Sequence, residues 1–179
     1  MDYLIIPLIV IIVVTVWWII KSNDFNLKAV KIDEGLSGVE VALTKRYDML
    51  TKLLDVVKGY AEHEKTLFSQ VVELRRGMSF GELNKAIGET DAIAGRLFAV
   101  AEAYPELRSS DVFRELQSGI RDAEEHLQAA RRLYNTHVTA FNMAIVVFPA
   151  SVVAKLKRLG KREFFVAEEN KREDVTMKF

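Results

Sequence analysis

An all-α protein with one membrane-crossing helix is predicted by three observations on the sequence. Residues Tyr3 to Ile20 run for 18 positions without a charge. Beyond them, apolar residues recur at spacings of three and four, the period of a helix. The two prolines outside that run, Pro105 and Pro149, fall where apolar stripes stop. Long helices with short connections imply an antiparallel up-and-down bundle of three long helices plus a short fourth, preceded by the membrane helix.

Composition agrees with this division. The chain has 179 residues, 25 Lys+Arg against 25 Asp+Glu, three His and no Cys. The segment up to Ile20 is almost wholly hydrophobic and its only charge is Asp2, whereas the rest has the balance of an ordinary soluble domain. The length suits one domain plus a short extra segment. Zero net charge points away from nucleic acid as a partner. Without Cys there are no disulfides, no thiol chemistry and no Cys-ligated metal.

The apolar run comes first. A spanning helix needs about 20 apolar residues, with about 17 as the lower limit, and Tyr3–Ile20 meets it. A cleavable signal peptide would have a basic start, a shorter core and a small-residue cleavage site, and none of these is present. Trp17 and Trp18 stand where rings favour the headgroup layer, with Lys21 beside them to snorkel, and Pro7 lies in the early turns. Residues 1–21 are therefore expected as an uncleaved anchor in the lipid bilayer. Lys21, Lys28 and Lys31 follow the span and no Lys or Arg precedes it. The positive-inside rule leaves the short N-terminus outside and residues 21–179 in the cytoplasm, at the inner (cytoplasmic) membrane.

A juxtamembrane connector is expected over 22–38, loosened by Gly35 and Gly38, and a helical bundle over 39–160. The first bundle helix has its seam from Leu36 through Val39, Leu43, Leu50, Leu53, Leu54 and Val57, on to Leu74. The second begins at Ser79, with Glu82 three residues on at capping-box spacing. Its stripe is Leu83, Ile87, Thr90, Ala94, Leu97, Ala101 and Tyr104, and Pro105 stops it. Ser109, Ser110 or Asp111 can cap the third, whose stripe runs from Phe113 through Tyr134, Val138, Phe141 and Ile145 to Phe148. Pro149 ends it or opens a shorter segment from Ala150 to Leu159, closed by Gly160. Residues 161–179 mix charges with few apolar residues and are expected as a charged flexible tail.

Met143 to Ala154 is uncharged and too short to span a bilayer. It suits a buried bundle end or a contact surface made of Met143, Ile145, Val146, Val147, Phe148, Val152 and Val153, with copies of the same chain as the expected partner. Lys155, Lys157, Arg158, Lys161 and Arg162 follow directly and keep the membrane interface as a third use.

Little in the sequence carries catalysis. Gly77-Met78-Ser79-Phe80-Gly81 fits the nucleophile-elbow pattern, but that motif needs a strand before its turn, and here both flanks are helical. His63, His126 and His137 lack the Glu-x-x-His and H-E-x-x-H spacings of metal sites, and no phosphate-cradling loop occurs. No cofactor and no catalytic residue is expected. Polar groups at or beside the seams are more telling: Arg75, Glu102, Glu124, Arg131 and Asn135. Charges there are rarely buried unless paired, so interhelical ion pairs that fix register are expected, with a polar ligand pocket as the alternative.

Four stretches in order carry a resemblance. They are Lys45-Arg46-Tyr47-Asp48 leading to Val57-Lys58-Gly59-Tyr60-Ala61-Glu62-His63-Glu64; Arg75; Ala101-Glu102-Ala103-Tyr104-Pro105-Glu106-Leu107; and Glu124 through Arg131, Tyr134, Asn135 and Asn142 to Phe148-Pro149. In these the chain resembles the bacterial LemA family. The resemblance implies an N-terminal membrane helix with its short end outside and a cytoplasmic up-and-down helical bundle, and it supplies no catalytic residues to carry over. Where the family often reads Leu-Ile-Pro-Asn-Leu after Asp48, this chain has Met49-Leu50-Thr51-Lys52-Leu53, which removes a proline and straightens the first helix. The expected function is a membrane-anchored, self-associating interaction or scaffold module; a tethered binder of a small ligand or lipid headgroup is the alternative.

Overall fold

The computed structural model describes residues 2–60 and 78–165, and among these every regular element is a helix. They are α1 (Asp2–Lys58), α2 (Phe80–Ala103), α3 (Pro105–Ser109), α4 (Asp111–Val146) and α5 (Ala150–Leu156). The chain forms two compact units, one of residues 1–32 with 134–179 and one of residues 33–133. α1 and α4 each contribute a length to both.

α1 corrects the expected connector over 22–38, because the apolar run and the first bundle helix are one continuous helix. The reason lies in the seam, which begins at Phe25 rather than Leu36. Phe25, Ile32 and Val39 are buried at intervals of seven, one side chain every two turns. Lys28 pairs with Asp24 one turn earlier on the same helix. Gly38 costs helix propensity but sits in open space, so it weakens the helix without breaking it. α1 then ends at Lys58, where Gly59 N–H donates to Val56 O and Tyr60 N–H to Val57 O, a tightened last turn. The part of the first helix expected beyond Tyr60 lies outside the described residues.

In the 33–133 unit, α2 starts as its sequence dictates. Ser79 Oγ accepts from Glu82 N–H, and the Glu82 carboxylate accepts from Ser79 N–H at 2.7 Å, closing the capping box. Leu83, Ile87, Thr90, Ala94, Leu97 and Ala101 are all buried, as their spacing requires. Pro105 does more than stop α2. It occupies the first turn of α3, a short helix that the apolar pattern did not show and that buries Leu107. Ser110 Oγ then accepts from Phe113 N–H to cap α4. The core gathers Leu50, Leu53, Leu54 and Val57 of α1, Ala94, Leu97 and Ala101 of α2, Leu107, and Phe113 and Ile120 of α4. Each fully buried Leu or Phe contributes about 1.5–3 kcal/mol, so these side chains set where the three helices meet. Phe98 meets Phe113 edge-on, with 6.5 Å between ring centroids, an arrangement that aromatic quadrupoles favour.

In the other unit, the apolar start of α1 is open. Its 18-residue window has mean hydropathy 2.4 and none of it is buried in the protein. Among the described residues this is the helix long and apolar enough to cross a membrane by itself; α4 and α5 pass the same test only as a bent pair, with 94° between them. Buried here are Phe25 and Ile32, Tyr134, Val138, Phe141 and Ile145, Val153 and Ala154, and Phe165. Phe148, the last residue of the predicted stripe, lies beyond the end of α4 and is 78% exposed.

α5 closes without using Gly160. Arg158 N–H donates to Lys155 O and Leu159 N–H to Ala154 O, with Arg158 itself at φ 53°. This is the paired bonding of a Schellman end, whose left-handed position glycine fills at no steric cost. Arg158→Gly is therefore expected to stabilise the protein by about 0.5–1 kcal/mol. A rise in the thermal midpoint checks this; a fall shows that the arginine side chain matters more than its strain.

Candidate functional site

Arg46 is the centre of the 33–133 unit. It sits on the α1 seam between Leu43 and Leu50 and is only 4% exposed. Its Nη1 donates to Thr90 Oγ1 at 3.1 Å, its Nη2 lies 2.5 Å from Asp91 Oδ1, and its Nε lies 3.1 Å from Glu124 Oε2. Three helices thus converge on one guanidinium. Thr90, fully buried, donates its own hydroxyl to Ile87 O at 2.8 Å. Glu124 Oε1 accepts from Gln128 Nε2 at 2.7 Å. The Nε and Oε2 atoms are buried and attract by charge without an aligned hydrogen bond.

The group carries one positive and two negative charges. An arginine cannot act as a base, and its fork favours fixed, directional pairing. Asp91 and Glu124 remain about one-third exposed, so water shares their charge. The arrangement suits fixing helix register rather than chemistry. α1 and α4 run in opposite directions here: Arg46 faces Glu124, and a Cβ on Gly119 would meet Met49 Sδ at 3.2 Å.

The other unit holds a clasp of side-chain amides. Asn135 Nδ2 donates to Phe165 O at 2.8 Å while Asn135 Oδ1 accepts from Phe165 N–H at 2.9 Å. Asn142 repeats this on Arg162, at 2.9 and 2.8 Å. The Tyr134 hydroxyl donates to Glu163 O at 3.2 Å, and its ring meets Phe165 edge-on at 4.9 Å. The Arg162 guanidinium lies 6.0 Å over the Phe141 ring, within the reach of a cation–π attraction. The spacings match. Two asparagines seven residues apart on a helix stand about 10.5 Å apart, and three residues of extended chain cover about 10 Å. The start of the segment expected as a flexible tail, 161–165, is therefore held against α4, and Phe165 is 4% exposed. The rest of that segment lies outside the described residues.

The remaining sequence-predicted residues fall in several places. His63, Glu64 and Arg75 lie outside the described residues. Asp48 is exposed, Gly59 and Tyr60 form the turn that ends α1, and Tyr104 with Pro105 makes the α2–α3 junction. Glu102 is exposed, Arg131 is half-buried, and Asn135 spends both amide groups on the Phe165 backbone. The expected contact surface divides: Ile145 and Val153 are buried, while Met143, Val146, Val147, Phe148 and Val152 are exposed. His126 is exposed and His137 half-buried. Among the described residues no three His, Asp or Glu side chains are grouped to hold a metal. The seam pattern did not reveal Thr90 and Asp91 as partners of Arg46, although a signal existed. The seam steps from Leu43 to Leu50, and Arg46 fills the gap.

Residues 35–179 match the model of a protein family described as the LemA family. Among characterised relatives, Protein LemA of Metamycoplasma hominis is 28% identical over 160 residues, covering 87% of this chain and 73% of its own length. Magnetosome protein MamQ of Magnetospirillum gryphiswaldense is 23% identical, and Magnetosome protein MamQ 2 of Paramagnetospirillum magneticum 22%. These matches cover 72% and 82% of this chain, but only 58% and 65% of the two magnetosome proteins.

Proposed function

We propose that this chain, which belongs to the LemA family, works as a non-enzymatic scaffold held at the cytoplasmic face of the inner membrane by α1. One observation carries the proposal: a fully open apolar run and the first seam of a folded helical domain lie on the same uninterrupted helix. A continuous helix, and not a loose linker, leads out of the span. Confinement to a surface raises the effective concentration of the domain for partners there.

Three further points support the reading. Among the described residues, several buried or half-buried polar side chains are engaged in holding structure, Arg46 with Asp91 and Glu124, and Asn135 and Asn142 with backbone. Lysines after the span and none before it favour the short N-terminus outside. The up-and-down bundle expected from the sequence leaves long outer helix faces for partners, further copies of this chain among them.

Deleting residues 1–20 is expected to move most of the protein to the soluble fraction. It should also lower the yield of crosslinked partners by at least about tenfold at native expression. Crosslinking in cells followed by mass identification measures this. Equal yield of the same partners from the truncated chain would sink the scaffold reading, because the anchor would then concentrate nothing.

A further inference from the structure

The stretch from Met143 to Leu156 presents two faces. Ile145, Val153 and Ala154 are buried in their own unit, but Met143, Val146, Val147, Phe148, Val152 and Leu156 are between 45 and 78% exposed. Isolated apolar side chains on a surface are ordinary, whereas so many crowded into one short stretch mark a contact. Lys155, Lys157, Arg158, Lys161 and Arg162 adjoin it, and Glu163 is the single acid from Met143 to Phe165. An apolar strip edged by cations matches a lipid leaflet, with acyl chains for the strip and phosphates for the edge.

The position of α5 selects that occupant over others. Lys157 Nζ donates to Ser22 Oγ at 2.7 Å and to Asn26 Oδ1 at 3.1 Å, tying the end of α5 to α1. Ser22 lies only about 6–8 Å along α1 from Trp17 and Trp18. Those rings mark the headgroup level of a spanning helix. They are half-buried, while residues 5–16 are open. α5 has seven residues. That makes it about 10 Å long, so the whole strip lies within reach of that layer.

From this placement we infer that the corner between α4 and α5 is a second membrane contact. Phe148, with Val147, Val152 and Leu156 about it, enters the leaflet from which α1 emerges, and Lys155, Arg158 and Lys161 hold lipid phosphates, Lys157 being spent on α1. The inference rests on α1 crossing the membrane. It deepens the scaffold reading in one respect. A single anchor lets the unit that carries it turn about the helix axis, whereas two contacts fix how that unit meets the membrane.

The chain has no cysteine, so single-cysteine labels report without background. Full-length Phe148→Cys, Val152→Cys, Val10→Cys and Val41→Cys proteins carry a bimane label in vesicles of phosphatidylcholine and phosphatidylglycerol. Nitroxide-bearing acyl chains quench from the membrane and acrylamide quenches from water. The labels at 148 and 152 are expected to show a lipid-to-water quenching ratio about tenfold above that at 41. Vesicles of phosphatidylcholine alone should lower that ratio, and an unchanged ratio overturns the role given to the basic residues. Acrylamide quenching at 148 equal to that at 41 overturns the proposal. So does shielding at 148 from both quenchers that is lost on diluting the protein in lipid, because a second copy then covers the strip. Lipid quenching at 10 but not at 148 overturns this inference alone. Its absence at both positions overturns the anchor reading as well.

Discussion

Arg46→Met is expected to destabilise the protein by about 2–3 kcal/mol, and Arg46→Ala by about 1 kcal/mol more. Removing one partner of a fully buried ion pair costs about 3–5 kcal/mol, because the other charge is left without compensation. Here Asp91 and Glu124 keep roughly a third of their surface in water, which recovers part of that cost. Methionine retains the apolar stem, so its deficit reports the charge, while alanine also empties the space of the stem. Thr90→Val should cost about 1 kcal/mol, since it leaves one guanidinium donor without an acceptor. A double-mutant cycle separates the pairs. Arg46→Met with Glu124→Gln should be less damaging than the sum of the two by about 1–2 kcal/mol. Thermal unfolding of the detergent-solubilised protein by circular dichroism measures all five variants. If Arg46→Met lies within about 0.5 kcal/mol of the native chain, the cluster does not hold the three helices.

How much of this was legible follows from the range of each signal. Where cause and effect lie within one turn, the sequence was enough: Ser79 and Glu82 stand at capping-box spacing, and they close the box they predict. Most of the α2 stripe and most of the α4 stripe were legible because burial repeats with the helix itself, Tyr104 and Phe148 at their ends being exposed. The connector over 22–38 failed for a related reason. One large apolar residue every seventh position is a thin signal, and two glycines masked it. α3 is shorter than the window in which a period can be recognised. Arg46 stands out in the sequence as a motif residue and not as a seam residue, although its number falls in the gap of the seam. Its partners Asp91 and Glu124 sit on other helices, far along the chain, and no local pattern reaches that far. The uncharged stretch from Met143 to Ala154 was legible as composition, but which of its side chains face outward depends on the 94° bend between α4 and α5. Phe165 had a faint signal, an apolar pair in a charged segment. Its meaning depends on Asn135 and on Asn142, both far earlier in the chain.

Those asparagines make the second large prediction. Each uses one amide to both donate to and accept from a single backbone residue, so four hydrogen bonds hold residues 162–165 along α4. Asn135→Ala removes two of them beside a buried ring and should cost about 1–2 kcal/mol. The double variant Asn135→Ala, Asn142→Ala should cost about 3 kcal/mol and release the segment. Phe165 then keeps its ring contact with Tyr134. The two sites can be told apart by amide hydrogen exchange. Asn135→Ala should speed exchange at Phe165 about tenfold with less change at Arg162, and Asn142→Ala should do the reverse. Asparagine is needed for its two ends: aspartate keeps the acceptor, loses the donor, and sets a negative charge against a carbonyl oxygen. Asn135→Asp is therefore expected to be at least as damaging as Asn135→Ala, although it differs from asparagine by a single group. An aspartate variant with native exchange at Phe165 would mean that ring packing holds the segment and the amide clasp merely accompanies it.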